Sequence, residues 1–322
     1  MTDGALTLPA LPSLSQETRQ FLYRLVAVVA IGFALSLISE AFLTWSNLVN
    51  VLRQASLVFF MALGLTLVVL TGKIDLSLGA NVGLSACLAG LVIQGTGSPV
   101  LGAATGIGVG ALIGVLNGLM VTRLRIPSFI ATYGTLWMVQ GLTYYVMGGR
   151  TVHGFPPEFR ALGSGYALGL PIPVWMMLGF LTVGVLLTGR SVFGQQIYAI
   201  GANPTAARLS GIPVVRNLVA VFLISGAMAG LASLIFLARL NSAEGDIGET
   251  LTLPAVAAVL IGGTSLFGGV GSVVGTFIGA VILTLTLNGM NLLMIDANWQ
   301  PVVTGAIVIL VVWFDMRSRR SN

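Results

Sequence analysis

Charged residues are scarce in this chain. Only 8% of its 322 residues are Asp, Glu, Lys or Arg, whereas 56% are hydrophobic. Soluble domains usually carry about a quarter charged residues, so the composition excludes an ordinary soluble domain and predicts an all-α polytopic membrane protein. The net charge of +5 does not indicate nucleic-acid binding, because the basic residues lie between apolar segments rather than along one face.

Cysteine and histidine each occur once, as Cys87 and His153. A single cysteine cannot form a disulfide or a cysteine-based metal site within one chain. A single histidine without other ligands does not make a zinc site. We therefore predict no metal site, and we interpret Cys87 as a small buried side chain.

Motifs for catalysis and nucleotide binding are also missing. Gly72 and Lys73 match the end of a Walker A motif, but Leu67 replaces its first glycine and Ile74 replaces its Ser or Thr. The chain has neither His-Glu-x-x-His nor a Gly-x-Ser-x-Gly elbow with His and Asp partners at membrane depth. We predict no catalytic residue and no cofactor. Ion-coupled transporters normally carry charges in mid-span, and here most charges lie at segment ends.

Long apolar runs, in contrast, are abundant, and a spanning helix needs about 20 such residues. The runs predict about ten spans, at 21–43, 50–71, 78–95, 100–121, 128–147, 173–189, 217–238, 253–267, 271–289 and 299–315. The spans 173–189 and 253–267 are short enough to be broken or re-entrant. We expect a membrane domain at 21–315 between a cytoplasmic tail at 1–20 and a basic cytoplasmic tail at 316–322.

The basic residues predict the orientation, since they concentrate in cytoplasmic loops. With the N-terminus inside and ten spans, both termini are cytoplasmic, and only four basic residues fall outside: Arg53, Arg150, Arg160 and Arg239. The inner side then holds Arg19, Arg24, Lys73, Arg123, Arg125, Arg190, Arg208, Arg216, Arg317, Arg319 and Arg320. One predicted span more or fewer would move later basic residues to the outer side and remove this excess of positive charge on the inner side.

Two outer loops are predicted, at 148–172 and 239–252. The second carries Glu244, Asp246 and Glu249. Such an acidic rim could meet a soluble partner, but an ordinary solvated loop is an equally good interpretation of the charge.

The segment 190–217 is longer than a connector needs and contains three arginines but no acid. Asn203 is a good N-cap, and Pro204 suits the first position of a helix. Gly211 and the proline that follows it would stop that helix. We therefore predict a short capped helix in the cytoplasm, and we infer that another protein docks on it.

Glycine is abundant, with 42 residues, and within the spans it recurs every fourth residue. Small residues at this spacing let helices approach closely. The predicted packing residues are Gly106, Gly110, Gly114, Gly275 and Gly279. A weak internal repeat relates 69–79 to 259–269 and 116–119 to 287–290, as duplicated halves of transporters do, although the two offsets differ.

Four polar residues on the spans are candidates for a translocation path: Asp75, Asn81, Asn117 and Asn288. Asp75 either caps the span that starts at 78 or lies in the path. The amides suit sugar hydroxyls, because they donate and accept hydrogen bonds without carrying charge. The alternative is interhelical hydrogen bonding, worth about 0.6–2 kcal/mol for each amide.

Four segments resemble the permease subunits of bacterial ATP-binding-cassette (ABC) importers, in the ribose, xylose, galactose and arabinose branch. Residues 72–79, GKIDLSLG, resemble the signature Gly-Gly-Ile-Asp-Leu-Ser-Val-Gly, with Lys73 in place of a glycine. Residues 117–132 resemble its Asn-Gly…Pro-Phe-Ile-x-Thr segment, with Ser128 in place of a proline. Residues 199–212 resemble the loop that engages the ATPase, and residues 262–272 resemble a late glycine-rich segment.

The resemblance covers residues 45–315 and implies a multi-pass protein of the bacterial inner membrane. It implies a second permease subunit, identical or homologous, a cytoplasmic ATPase that binds ATP-Mg, and a periplasmic sugar-binding protein, with membrane lipid around them and no nucleic acid. The implied ATPase-coupling residues are Gly201, Asn203, Pro204, Ala206, Ala207, Arg208 and Gly211. The alternative function is a stand-alone secondary transporter or facilitator for a small polar solute. The sequence leaves the sugar itself open.

Overall fold

The computed structural model describes residues 16–320 of the chain, with the side chains of 16–20, 314 and 318–320 excepted. Residues 1–15 and 321–322, which belong to the two predicted tails, lie outside the described residues. Residues 16–20 and 316–320 are helical and continue the first and last helices, and the predicted tail boundaries at 20 and 316 stay predictions.

The described chain is almost entirely helical. Its helices are α1 Gln16–Ile38, α2 Trp45–Leu70, α3 Leu78–Thr96, α4 Pro99–Thr122, α5 Ser128–Met147, α6 Pro157–Ser164, α7 Ile172–Arg190, α8 Val192–Ala202, α9 Pro204–Leu209, α10 Val214–Leu240, α11 Thr252–Ile261, α12 Val273–Leu292 and α13 Trp299–Arg320. Four two-residue strands form two antiparallel pairs, β1 (Val152–His153) with β4 (Ser242–Ala243), and β2 (Tyr166–Ala167) with β3 (Leu170–Pro171).

Within residues 16–320, eight helices are long and apolar enough to cross a membrane: α1, α2, α3, α4, α7, α10, α12 and α13. The predicted span 128–147 is present as helix α5, which has the required length but falls outside this apolar set. The predicted span 253–267 contains only the ten-residue helix α11, which reaches about 15 Å. The run 173–189, which was short enough to be broken, is the continuous helix α7.

Helix α2 forms the centre of the bundle. Its second half, from Ala55 to Leu70, is almost completely buried, and it contacts α7, α10, α11 and α12. A helix that is apolar on every side belongs in a core. The outer helices α1 and α13 instead leave most of their apolar surface uncovered, as helices facing lipid do.

Close helix contacts occur at glycines of α4. A Cβ atom at Gly110 would lie 2.9 Å from the Gly230 Cα of α10, and one at Gly114 would overlap the Phe222 carbonyl oxygen. At Gly106 a Cβ would lie 2.9 Å from the Leu234 side chain. These three positions therefore bring the backbones of α4 and α10 nearly into contact, which fixes the two helices against each other.

The same contact joins α11 to α12. A Cβ atom at Gly279 would overlap the carbonyl oxygen of Ala258, and one at Gly275 would overlap that of Gly262. The short helix α11 is therefore held along the N-terminal half of α12.

Part of the segment predicted as an outer loop at 239–252 packs along helix α3. Cys87 of α3 donates a hydrogen bond to the Glu244 carbonyl at 3.3 Å, while Gly248 lies against the backbone of Gly79. The Gly79 amide in turn donates to the Thr252 hydroxyl at 2.9 Å. Residues 79 and 87 are eight positions apart on α3, so this loop descends about 12 Å beside that helix before α11 begins.

Candidate coupling site and membrane path

The short helix α9 is present where Asn203 and Pro204 predict its start. The Asn203 side-chain oxygen accepts hydrogen bonds from the amides of Thr205 and Ala206, both at 3.0 Å. Two of the unpaired amides of the first turn are thereby satisfied. At the other end Gly211 adopts a positive φ of 80°, which favours glycine.

One side chain of α9 is buried and the others face outward. Ala207 is 4% exposed and packs with Ile200, Val214 and Leu218. Leu209 is 84% exposed, and Pro204, Thr205, Ala206 and Arg208 are also exposed. Helix α9 is therefore fixed to the bundle through Ala207 and presents a mixed apolar and basic surface to its surroundings.

Helix α8, at 192–202, was missed by the sequence analysis, which predicted a loop there. The Ser191 hydroxyl accepts from the Gly194 amide at 2.9 Å and caps this helix. Phe193, Ile197 and Ile200 recur on one face, at the spacing of a buried helical stripe. This apolar spacing is the pattern in the sequence from which helix α8 could have been predicted.

The end of α8 meets the end of α2 and the loop 262–272 at a contact that we call the glycine junction, formed by Leu70, Gly72, Gly201, Gly268 and Gly269. A Cβ atom at Gly201 would overlap the Leu70 carbonyl oxygen, and one at Gly268 would lie 2.6 Å from the Gly72 nitrogen. The Gly269 amide donates to the Leu70 carbonyl at 2.9 Å. Three backbones therefore touch with no side chain between them.

A second hydrogen bond supports this arrangement. The Tyr198 hydroxyl of α8 donates to the Gly271 carbonyl at 2.8 Å. Helix α8 is therefore linked to the loop 262–272 at two places. Since α9 follows α8 after the single residue Asn203, a displacement of α9 would act directly on the junction.

From the junction, the non-helical segment 71–77 between α2 and α3 leads to Asp75. This side chain is 1% exposed. One of its oxygens accepts from the Ser77 amide at 3.0 Å and from the Ser77 hydroxyl at 2.7 Å, and the other accepts from Ser225 of α10 at 3.2 Å. Asp75 therefore both supports the turn before α3 and joins that turn to α10.

Asn117 belongs to the same network. Its amide donates to the Ser77 hydroxyl at 2.8 Å, and its oxygen accepts from Thr135 of α5 at 2.6 Å. Asn81 lies on α3, just after this turn, and donates to the Gly110 carbonyl of α4 at 3.2 Å. These amides connect α3, α4 and α5, in the manner of interhelical hydrogen bonds.

The structure places Asn288 elsewhere. It exchanges two side-chain hydrogen bonds with Asn47, at 2.8 Å and 3.1 Å, and so joins α12 to the start of α2. Of the four candidate path residues, Asp75 and Asn117 thus share one network, Asn81 is adjacent to it, and Asn288 is separate. A role for them in a solute path stays a prediction.

An open cavity of about 680 Å³ lies between the middle of α2, the N-terminal ends of α11 and α13, and the C-terminal parts of α10 and α12. Its wall is mostly apolar, with polar side chains that include Gln54, Arg239, Glu249 and Gln300. Sequence reasoning missed these four residues as a group, because they come from different elements. Among residues 16–320, no set of three His, Cys, Asp or Glu side chains is arranged to hold a metal ion.

Comparison with known proteins gives a match over most of the chain. Residues 47–312 match the model of the family described as "Branched-chain amino acid transport system / permease component". The chain is 40% identical over 306 residues to a ribose import permease protein of Bacillus subtilis, covering 94% of this chain and 93% of the relative. No solved structure matches the chain.

Two further relatives are import permeases, one for ribose and one for autoinducer 2. A ribose import permease protein of Escherichia coli strain K12 is 38% identical over 300 residues, which is 92% of this chain and 93% of the relative. An autoinducer 2 import system permease protein of Klebsiella pneumoniae is 33% identical over 295 residues, covering 92% of this chain and 86% of the relative.

Proposed function

Because this chain belongs to the transport-system permease family that it matches over residues 47–312, we propose that it is the membrane permease subunit of a sugar importer of the ABC type. It is a multi-pass protein of the inner membrane. The observation that carries the sugar assignment is its similarity to ribose import permeases over 93% of their length. The family description names amino acids, so family membership alone does not set the solute.

We propose ten crossings, one of which is composite. The descent of residues 244–252 beside α3 covers about 12 Å, and helix α11 adds about 15 Å. Together they approach the roughly 30 Å of a bilayer core. With α5 as a further crossing, both termini and helix α9 lie on the cytoplasmic side, which agrees with the distribution of the basic residues.

The exposed face of α9 is then a docking surface for a separate ATPase subunit. Two features support this. First, Leu209 on this face is 84% exposed, although α9 lies outside the apolar spans. Second, α9 is connected through α8 to the glycine junction. ATP-driven movement of α9 would reach the residues 71–77 through that junction. The other proposed partners are a second permease subunit and a soluble sugar-binding protein at the outer side.

The open cavity is a suitable place for the solute on the outer side. Gln54, Arg239 and Gln300 offer donors and Glu249 offers an acceptor, so together they match the hydroxyls of a sugar. Aliphatic side chains make up most of the remaining wall. A mainly apolar cavity with a few polar groups is the usual form of a small-molecule site.

Reconstitution tests the proposal. Purified permease is placed in vesicles with and without a cognate ATPase and sugar-binding protein, and uptake of labelled ribose is followed. We expect uptake only with both partners and ATP, and competition by unlabelled ribose but not by leucine. Ribose flux without the ATPase would favour the stand-alone facilitator, and competition by leucine alone would show that the sugar assignment is wrong.

A further inference from the structure

Three arginines surround one open groove where α4 ends and α10 begins. Arg123 follows the last residue of α4, Arg208 lies on α9 and Arg216 lies in the first turn of α10. All three line a cavity of about 570 Å³, and all three are exposed. Like charges that converge on one groove repel each other, so this arrangement favours an anionic occupant.

No acidic side chain in the described part of the chain forms an ion pair with these three arginines. The acidic residues nearest to them in sequence are Asp75, Glu158 and Glu244, of which Glu158 lies in the first turn of α6. Asp75 is buried and bonded to Ser77 and Ser225, and Glu244 lies in the loop beside α3. The positive charge of the groove is therefore not neutralised by residues 16–320.

The rest of the groove is apolar and belongs to the spanning helices. Its walls include Leu119 of α4 and Val215 and Val219 of α10. Leu119 is 38% exposed and Val215 is 40% exposed, so this surface is uncovered. The groove therefore has a basic end, where the helices terminate, and an apolar side that continues along the helices toward the membrane interior.

We propose that this groove binds an anionic phospholipid, with the phosphate between Arg123, Arg208 and Arg216 and an acyl chain along Leu119, Val215 and Val219. Basic pockets between helices on the cytoplasmic side are typical sites for acidic lipid headgroups. The inference rests on the proposed function only for the cytoplasmic orientation. An acidic patch of a soluble protein would fit the arginines but would leave the apolar walls uncovered, which is why the structure favours a lipid.

The position of Arg208 on helix α9 means that a bound lipid would affect the movement of this helix. Arg208 lies on the same short helix as Ala207, the residue that fixes α9 to the bundle. A phosphate shared by Arg208 and the two arginines at the ends of α4 and α10 would attach α9 to the membrane surface. Bound lipid would then limit the movement of the helix on which the ATPase docks.

The test uses purified permease alone, with phosphatidylglycerol and phosphatidylcholine as probes, and counts bound lipid by native mass spectrometry. The variants are Arg123→Gln/Arg216→Gln, the charge-conserving Arg123→Lys/Arg216→Lys, and the control Arg160→Gln, an exposed arginine of α6. We expect phosphatidylglycerol to bind in preference to phosphatidylcholine. We expect the glutamine pair to weaken phosphatidylglycerol binding about 25-fold, because each arginine strengthens the binding roughly fivefold. The lysine pair and the control should change this binding little.

Three results would overturn the proposal. The first is equal lipid binding by the glutamine pair and the wild type at unchanged thermal stability. The second is displacement of the lipid by inorganic phosphate alone, which would indicate a free-anion site. The third, from a separate binding assay with the ATPase, is loss of ATPase binding in the glutamine pair without any change in lipid binding, which would indicate a protein-docking surface. Because no ATPase, binding protein or sugar enters the lipid measurement, its failure leaves the proposed function untouched.

Discussion

The backbone amide of Gly269 donates a hydrogen bond to the carbonyl of Leu70 at 2.9 Å. This bond joins the loop 262–272 to the end of the central helix α2, directly beside Gly201 of α8. Contacts between backbones leave little room for relative sliding, since no flexible side chain separates them. We infer that helices α8 and α9, the end of α2 and this loop move as one unit.

Removal of the α9 cap tests whether the order of this helix matters for transport. Asn203→Ala leaves the amides of Thr205 and Ala206 without their partner, and the loss of such a cap costs about 1 kcal/mol. We expect several-fold lower sugar uptake at an unchanged level of protein in the membrane. Asn203→Ser, which can still cap the helix, should restore most of the uptake. Equal loss in both variants would show that the cap is not the reason.

Asp75 is expected to act through hydrogen bonds rather than through its charge. Asp75→Asn keeps an acceptor for Ser77 and can donate to Ser225, whereas Asp75→Ala leaves both partners unsatisfied at a buried position. Such a loss costs about 1–3 kcal/mol. We expect Asp75→Asn to import sugar at near the normal rate and Asp75→Ala to lose most of its activity. Equal inactivity of both, measured in the same vesicles, would assign the role to the charge.

The reciprocal pair Asn47 and Asn288 is expected to contribute stability and not specificity. Each single change to Ala should lower thermal stability in detergent by about 1 kcal/mol. The double variant should lose little more than Asn47→Ala alone, which already removes both bonds of the pair and the bond from Asn47 to the Phe42 carbonyl. The KM for sugar uptake should not change. An altered KM without loss of stability would instead place Asn288 in the solute path.

Gly114 and Gly108 on α4 offer a matched comparison of packing. A Cβ atom at Gly114 would overlap the backbone of α10, whereas nothing lies within 4 Å of one at Gly108. Gly114→Ala should be destabilising by about 1–3 kcal/mol, and Gly108→Ala should be neutral or slightly stabilising. Thermal unfolding of both purified variants measures the difference. Equal stability would show that α4 and α10 are not held in this close contact.

The sequence predicted the structure best where a few neighbouring residues determine it. Asn203, Pro204 and Gly211 locate a short helix because capping depends only on adjacent residues. Apolar length likewise identified the segment of α7. The same criterion marked 253–267 as short enough to be broken, and the structure has the ten-residue helix α11 there, followed by a packed glycine-rich loop that hydropathy alone does not describe.

The contacts between distant segments could not be predicted in this way. Gly201 and Gly268 have the same appearance in the sequence as other loop glycines, and nothing local shows that both reach the end of α2. The path of residues 244–252 beside α3 could not be predicted from the sequence for a different reason. Its acidic residues are typical of a solvated loop, while the contact is made by Gly248 and by backbone atoms.

The most direct test of the account is the ratio of sugar imported to ATP hydrolysed in the reconstituted transporter for Gly201→Ala, with Gly189→Ala as the control. A Cβ at Gly201 would overlap the Leu70 carbonyl, whereas none of the surrounding atoms lies within 4 Å of one at Gly189. The account predicts at least a roughly tenfold lower ratio for Gly201→Ala, with ATP hydrolysis retained because α9 can still dock. The control should keep the normal ratio. A normal ratio in Gly201→Ala would contradict the claim that ATP-driven movement passes through the glycine junction.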